Sequence, residues 1–291
     1  MIDRWIQHND RLIPVEQARL SPGQEGLING WGLFTTLKIV DGVPFAFERH
    51  WRRLERDAVR TGVTLPCDAD VLRQRLLAVI AANTVRDGSA RIYFIRNRTG
   101  AWHSDEPLPE TDLLITTGPT PRYREPVRLA LQEHGRHAAS PLAGTKVTSW
   151  LQNVWALDRA QRAGFDEVVL LNERGEVAEC TAANVFAVFG GRVRTPPLDS
   201  GCLAGITREI LLELAPPAGI SIEETVLHPD DLYRADEVFI SSTNRALLSV
   251  GEIAGHRIAA APGPLTRQLS DVFAEYVRRY IASAQLIPHS R

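Results

Sequence analysis

Short runs rich in β-branched and aromatic residues recur along the chain, separated by turn signals and by stretches of helical period. Leu33–Val40 is such a run, and Asp41-Gly42 marks a hairpin into Val43–Phe47. Glu48–Thr61 takes helical character, with Trp51, Leu54 and Ala58 on one face and arginines elsewhere. Ala69–Asn83 reads as a second helix, and Arg91–Arg96 and Leu113–Thr117 as strands. Gly118-Pro119-Thr120-Pro121 continues neither element and marks a linker.

Beyond it, Val127–Gln132 reads as a strand and Trp150–Ala163 as a helix. One hairpin joins Glu167–Leu171 to Val177–Cys180, and a second joins Val185–Phe189 to Arg192-Val193 through Gly190-Gly191. Thr207–Leu214 is a helix, Glu237–Ser241 a strand and Leu265–Ala284 the closing helix. Strand pairs on tight turns, interleaved with helices, predict an α+β fold rather than a doubly wound parallel sheet. The expected division is a smaller N-terminal domain over 1–117, a linker over 118–126 and a larger C-terminal domain over 127–291.

The 291 residues, 44% of them hydrophobic, allow one large or two packed domains. A formal net charge of −2 supplies no global basic field, which argues against nucleic-acid binding by charge. Acids at Glu48, Glu55 and Asp57 dilute the basic run around Arg49–Arg53 in the same sense. No apolar run reaches the roughly 18 residues of a membrane helix, and Met-Ile-Asp-Arg-Trp lacks the order of a secretion signal. Three scattered cysteines suit neither a disulfide framework nor a zinc site. His134 and His137 have ligand-like spacing without an acidic or cysteine partner nearby in sequence, so no metal is expected. The expectation is a soluble, cytoplasmic protein.

Of the 33 basic residues, two are lysine, Lys38 and Lys146. Arginine keeps its proton and cannot act as an amine nucleophile, whereas lysine can once its pKa falls. Lys146, between Gly144-Thr145 and an apolar helix, is either such an amine or a solvated surface lysine. Glu179 in Ala178-Glu179-Cys180-Thr181 is either a buried carboxylate that needs a donor or an edge-strand glutamate facing water. Gly205-Ile206-Thr207 opens a helix; it offers N–H groups to a phosphate, or Thr207 is an ordinary N-cap. Together the three read as the protein's parts in pyridoxal-phosphate chemistry: a lysine for an imine, a carboxylate for a pyridinium nitrogen and a helix start for a phosphate.

In that order of motifs the chain resembles the fold-type IV, or class IV, pyridoxal-phosphate aminotransferases. This group contains branched-chain and D-amino-acid aminotransferases and 4-amino-4-deoxychorismate lyases. The pieces are Asn29–Thr36, His50-Trp51-Arg52-Arg53-Leu54, Lys146, Glu179–Phe186, Thr195–Leu198, Gly205–Arg208 and Ser241–Asn244. The resemblance implies a two-domain fold, and pyridoxal 5'-phosphate held by Lys146 as a Schiff base, with Lys146 then shuttling a proton. It implies Glu179 at the pyridine nitrogen, and Arg53, the Ile206 and Thr207 N–H groups, Gly205 and Thr243 around the phosphate. Asn29, Lys38, Arg96, Ser242 and Asn244 fall at substrate-facing positions.

The implied reaction moves an amino group between a branched-chain-like or other small amino acid and a 2-oxo acid, in a homodimer. The alternative is lysis of aminodeoxychorismate to 4-aminobenzoate and pyruvate; a non-catalytic binding protein is the remote one. Asn29 stands where branched-chain enzymes have tyrosine, and Trp150 falls where relatives place a tyrosine near the cofactor ring. Trp102 and His103 are further candidates for the substrate entrance.

Overall fold

The computed structural model describes residues 1–20, 23–97 and 109–286. Trp102 and His103 lie outside the described residues. By contact the chain divides into two units. One comprises Met1–Pro121, Thr145–Trp150 and the chain from Arg279 onward; the other comprises Arg122–Gly144 and Leu151–Arg278. Residues 145–150 group with the first unit because they hydrogen-bond to a strand edge there: the Phe34 N–H donates to the Lys146 carbonyl at 3.1 Å and the Thr148 N–H to the Gly32 carbonyl at 2.9 Å.

The first unit contains β1 (Trp5–His8), β2 (Arg11–Pro14), a single helical turn α1 (Glu25–Ile28), β3 (Gly32–Val40) and β4 (Val43–Pro44). These are followed by α2 (Phe47–Thr61), α3 (Ala69–Ala82), β5 (Gly88–Arg96) and β6 (Thr111–Gly118). Its described strands form an antiparallel sheet in the order β2-β1-β6-β5-β3-β4. Leu33, Leu37 and Ile39 alternate along β3 onto one face, where Leu54, Leu72, Leu76 and Val79 from the two helices bury them. The second strand of the expected hairpin stops at Pro44. Ala46 adopts φ 56° and Phe47 opens α2, with Phe45 and Phe47 both buried. Asp68 caps α3 by accepting the Val71 N–H at 2.9 Å.

The second unit runs β7 (Val127–Gln132), α4 (Leu151–Arg162), β8 (Glu167–Leu171), β9 (Val177–Cys180), β10 (Asn184–Phe189) and β11 (Arg192–Thr195). It continues with α5 (Ile206–Leu214), β12 (Ser221–Glu224), α6 (Pro229–Arg234), β13 (Glu237–Ser242), β14 (Ala246–Ile253), β15 (His256–Arg257) and α7 (Pro264–Gln285), the last divided between the units. The sheet order is β12-β11-β10-β13-β14-β7-β8-β9, with β15 on β14. Antiparallel pairs dominate, and the parallel joins β11-β12, β14-β7 and β7-β8 connect them. This is the expected α+β architecture. Asn184 pairs with Ser241, so the turn after β13 begins beside the first residue of β10.

Candidate active site

In the first unit, α2 carries a buried polar stripe. His50, Arg53 and Asp57 recur at helical spacing and are 2%, 7% and 1% exposed, so Arg53 is no solvated charge. The Arg53 Nη2 donates to Thr35 Oγ1 at 2.9 Å, and that hydroxyl lies 2.7 Å from His50 Nδ1. Asp57 accepts the Lys146 backbone N–H through Oδ2 at 3.1 Å and the Arg56 Nη2 through Oδ1 at 2.7 Å. Burial, reinforced by the nearby charges of Arg53 and Lys146, pushes His50 well below the ordinary histidine value, so the ring is neutral at pH 7.

The Lys146 ammonium lies over aromatic rings, 4.5 Å from the Phe34 centroid and 5.9 Å from that of Trp150. Phe34 stacks on Tyr93 and meets Trp150 edge-on. Lys146 is half-buried, not a freely solvated surface lysine. Lys38 shares the Phe34 face of β3 by strand alternation and is also half-buried. Arg96 lies 4.1 Å over the Trp31 ring. Asn29 is exposed and donates to Glu25 at 2.8 Å.

In the second unit, Glu179 is 8% exposed rather than facing water. Its Oε1 accepts from Arg136 Nε at 2.8 Å and its Oε2 from the Leu203 N–H at 3.1 Å. Arg136 also donates to Asn153 Oδ1 at 3.0 Å, and Asn153 to the Thr181 carbonyl at 2.6 Å. A buried carboxylate so held keeps a fixed orientation. Arg136 and Asn153 carry no signal in the sequence itself, because nothing sets this arginine apart among thirty-one.

Leu203 links Glu179 to the start of α5. Its carbonyl accepts from Asn184 Nδ2 at 2.9 Å and from the Gly205 N–H at 2.8 Å. The N-cap of α5 is Gly205, with no side-chain cap; Thr207 lies inside the helix and is buried, which overturns the reading of Thr207 as a cap. The first N–H groups of this helix, those of Ile206 and Thr207 among them, lack intrahelical partners, and the positive end of the dipole adds to their pull on an anion. A Cβ at position 205 would collide with Asn184 Oδ1.

Across from Asn184, Ser241 Oγ is buried without a hydrogen-bond partner, as is Asn244 Oδ1 three residues on. Ser242 Oγ lies 3.5 Å from Arg245 Nη1, and Thr243 lies in the same turn. Uncapped helix donors, a glycine that keeps the helix start open and unsatisfied buried hydroxyl and amide oxygens fit a phosphate-bearing group. Cys202 nearby is pushed up to about 11 by burial and then by Glu179, so it is no nucleophile at neutral pH.

Residues 32–253 match the amino-transferase class IV family. The chain is 30% identical to the D-alanine aminotransferase of Listeria innocua over 281 residues, spanning 93% of this chain and 95% of that one. It is 27% identical to the branched-chain-amino-acid aminotransferase of Salmonella typhimurium over 282 residues, spanning 92% and 91%. Among solved structures, the branched-chain aminotransferase of Thermoproteus uzoniensis with norvaline superposes with a TM-score of 0.87 at 27% identity, covering 96% of this chain and 98% of that one. The T.th. branched-chain amino acid aminotransferase complexed with N-(5'-phosphopyridoxyl)-L-glutamate gives 0.85 at 25% identity, covering 96% and 95%. With the fold, the family match and the relatives in agreement, the chain belongs to the class IV aminotransferases, a family of pyridoxal-phosphate-dependent transaminases.

Proposed function

We propose that this enzyme moves the amino group of a small or branched-chain amino acid to a 2-oxo acid, with Lys146 as the amine that holds pyridoxal 5'-phosphate. Bound, that group supplies a reactive aldehyde and an electron-withdrawing ring. The observation that carries the reading is the joint anchoring of Lys146 and Arg53. Asp57 of α2 holds the Lys146 backbone, and Arg53, one turn earlier on the same helix, is buried with a side-chain partner.

Lys146 Nζ, half-sheltered by Phe34 and Trp150, would take the proton from the substrate Cα and return it to the carbon on the far side of the amino nitrogen, two bonds away. Arg53 binds phosphate with the N–H groups of Ile206 and Thr207, beside Gly205 and with Thr243. Glu179, held in place by Arg136 and the Leu203 N–H, pairs with a ring nitrogen. Lys38 or Arg96 meets the substrate carboxylate, and Asn29, Ser242 and Asn244 contact the rest of it.

The active form is a cytoplasmic homodimer; the exposed Leu151, Val154 and Trp155 on α4 give a second copy an apolar surface to cover. No helix among the described residues is long and apolar enough to cross a membrane. Lys146→Ala is expected to abolish turnover and the visible absorbance of lysine-bound cofactor; an unchanged spectrum overturns the assignment. A screen of L- and D-amino acids with 2-oxoglutarate identifies the donor. Pyruvate released from aminodeoxychorismate without an acceptor acid would instead establish the lyase.

A further inference from the structure

The hydroxyl of Thr35 is fully buried and has two neighbours among the described residues, Arg53 Nη2 and His50 Nδ1. A guanidinium only donates, so Thr35 Oγ1 uses a lone pair on Arg53. Its one proton then has a single acceptor within reach, His50 Nδ1, which places the imidazole hydrogen on Nε2. The direction of the chain is therefore determined: Arg53 donates to Thr35, and Thr35 donates to His50. Were the ring to carry a proton on Nδ1, the Thr35 proton would be buried without an acceptor among the described residues.

We propose that Thr35 and His50 are positioning residues for Arg53: His50 Nδ1 accepts a hydrogen bond from the Thr35 hydroxyl, and the hydroxyl so oriented fixes the guanidinium in its anion-binding pose. The proposal rests on the reading of Arg53 as a phosphate ligand. Neither residue touches the reacting atoms. A guanidinium on a long flexible stem loses much of its affinity for an anion to rotamer entropy unless a neighbour holds it. Thr35, on the central part of β3, provides that hold from a rigid strand.

The test uses apo-protein in phosphate-free buffer, titrated with pyridoxal 5'-phosphate and separately with pyridoxal. The ratio of the two affinities isolates the phosphate. Thr35→Val is expected to reduce that ratio about tenfold with pyridoxal affinity unchanged, while Thr35→Ser retains it. His50→Leu follows Thr35→Val, and His50→Asn, whose Oδ1 can accept the Thr35 proton, restores most of the loss. In an Arg53→Gln background, Thr35→Val should change nothing further.

If Arg53→Gln lowers the ratio and Thr35→Val does not, the positioning role is overturned and Arg53 still binds phosphate. If Arg53→Gln leaves the ratio unchanged, the phosphate reading fails and takes the proposal with it. Histidine nitrogen NMR of the wild-type protein gives a readout free of any folding defect. An unprotonated Nδ1 on His50, constant from about pH 6 to about pH 8, is expected; a protonated Nδ1 overturns the relay.

Discussion

Arg245→Met removes the countercharge from Glu167, whose side chain is 1% exposed against 10% for the arginine. Arg245 Nη2 donates to Glu167 Oε2 at 2.9 Å, and its Nη1 donates to the Ala182 carbonyl at 2.8 Å. Breaking a buried pair from one side typically costs about 3–5 kcal/mol, because the remaining charge stays desolvated. Here Glu167 Oε1 keeps the Val168 N–H at 3.0 Å and the Thr181 N–H and hydroxyl, which places the cost near the lower end, about 3 kcal/mol. At roughly 2–4 °C per kcal/mol for a unit of this size, the melting temperature should fall by roughly 6–12 °C.

The assay is calorimetry at fixed cofactor concentration, since a bound ligand raises apparent stability by mass action. The companion is Glu167→Gln with Arg245→Met, which removes both charges and should cost less than Arg245→Met alone. An Arg245→Met protein within about 1 kcal/mol of wild type, or a double variant no more stable than Arg245→Met alone, refutes the reasoning. Ser242 lies beside Arg245, so the single variant should also raise KM more than it lowers kcat.

Two further outcomes follow from the geometry. The backbone N–H groups of Ala138 and Ala139 hold the Glu173 carboxyl down at about 2, below its ordinary 4.5. A depressed native pKa contributes stability that is complete above the unfolded value and is lost as pH falls through the folded one. The stability gap between wild type and Glu173→Gln should therefore be widest above about pH 5 and close toward about pH 2; a gap that widens on acidification contradicts it. Gly205→Ala forces Asn184 out of its bond to Leu203, with an overpacking cost of about 1–3 kcal/mol and weaker cofactor binding. Unchanged melting and cofactor affinity in that variant would show that the helix start has room to spare.

Much of the architecture was legible because it is local. The β-rich run of β3, the periodicity of α2 and α3, and the glycine-marked hairpins of the second unit depend on neighbours a few residues apart. Elements with a weak local pattern were not: β12 is mostly exposed and polar, and β1 and β2 are short. The hairpin strand expected through Phe47 failed for the opposite reason, since tertiary burial of Phe45 and Phe47 outweighed their β propensity.

The amine chemistry could be read from the chain itself, because two lysines among thirty-one arginines mark where a nucleophile can stand, and the motif order around Lys146 and Glu179 names a family. What holds those groups in place was decided only in three dimensions. Arg136 lies 43 residues from Glu179, Asp57 lies 89 from Lys146, and Thr35 meets Arg53 across a helix–sheet contact. Sequence spacing reports which face of an element a residue shares, not which distant group meets it there. A buried polar atom's partner is chosen by packing, which closes those long loops and removes the water that would otherwise serve.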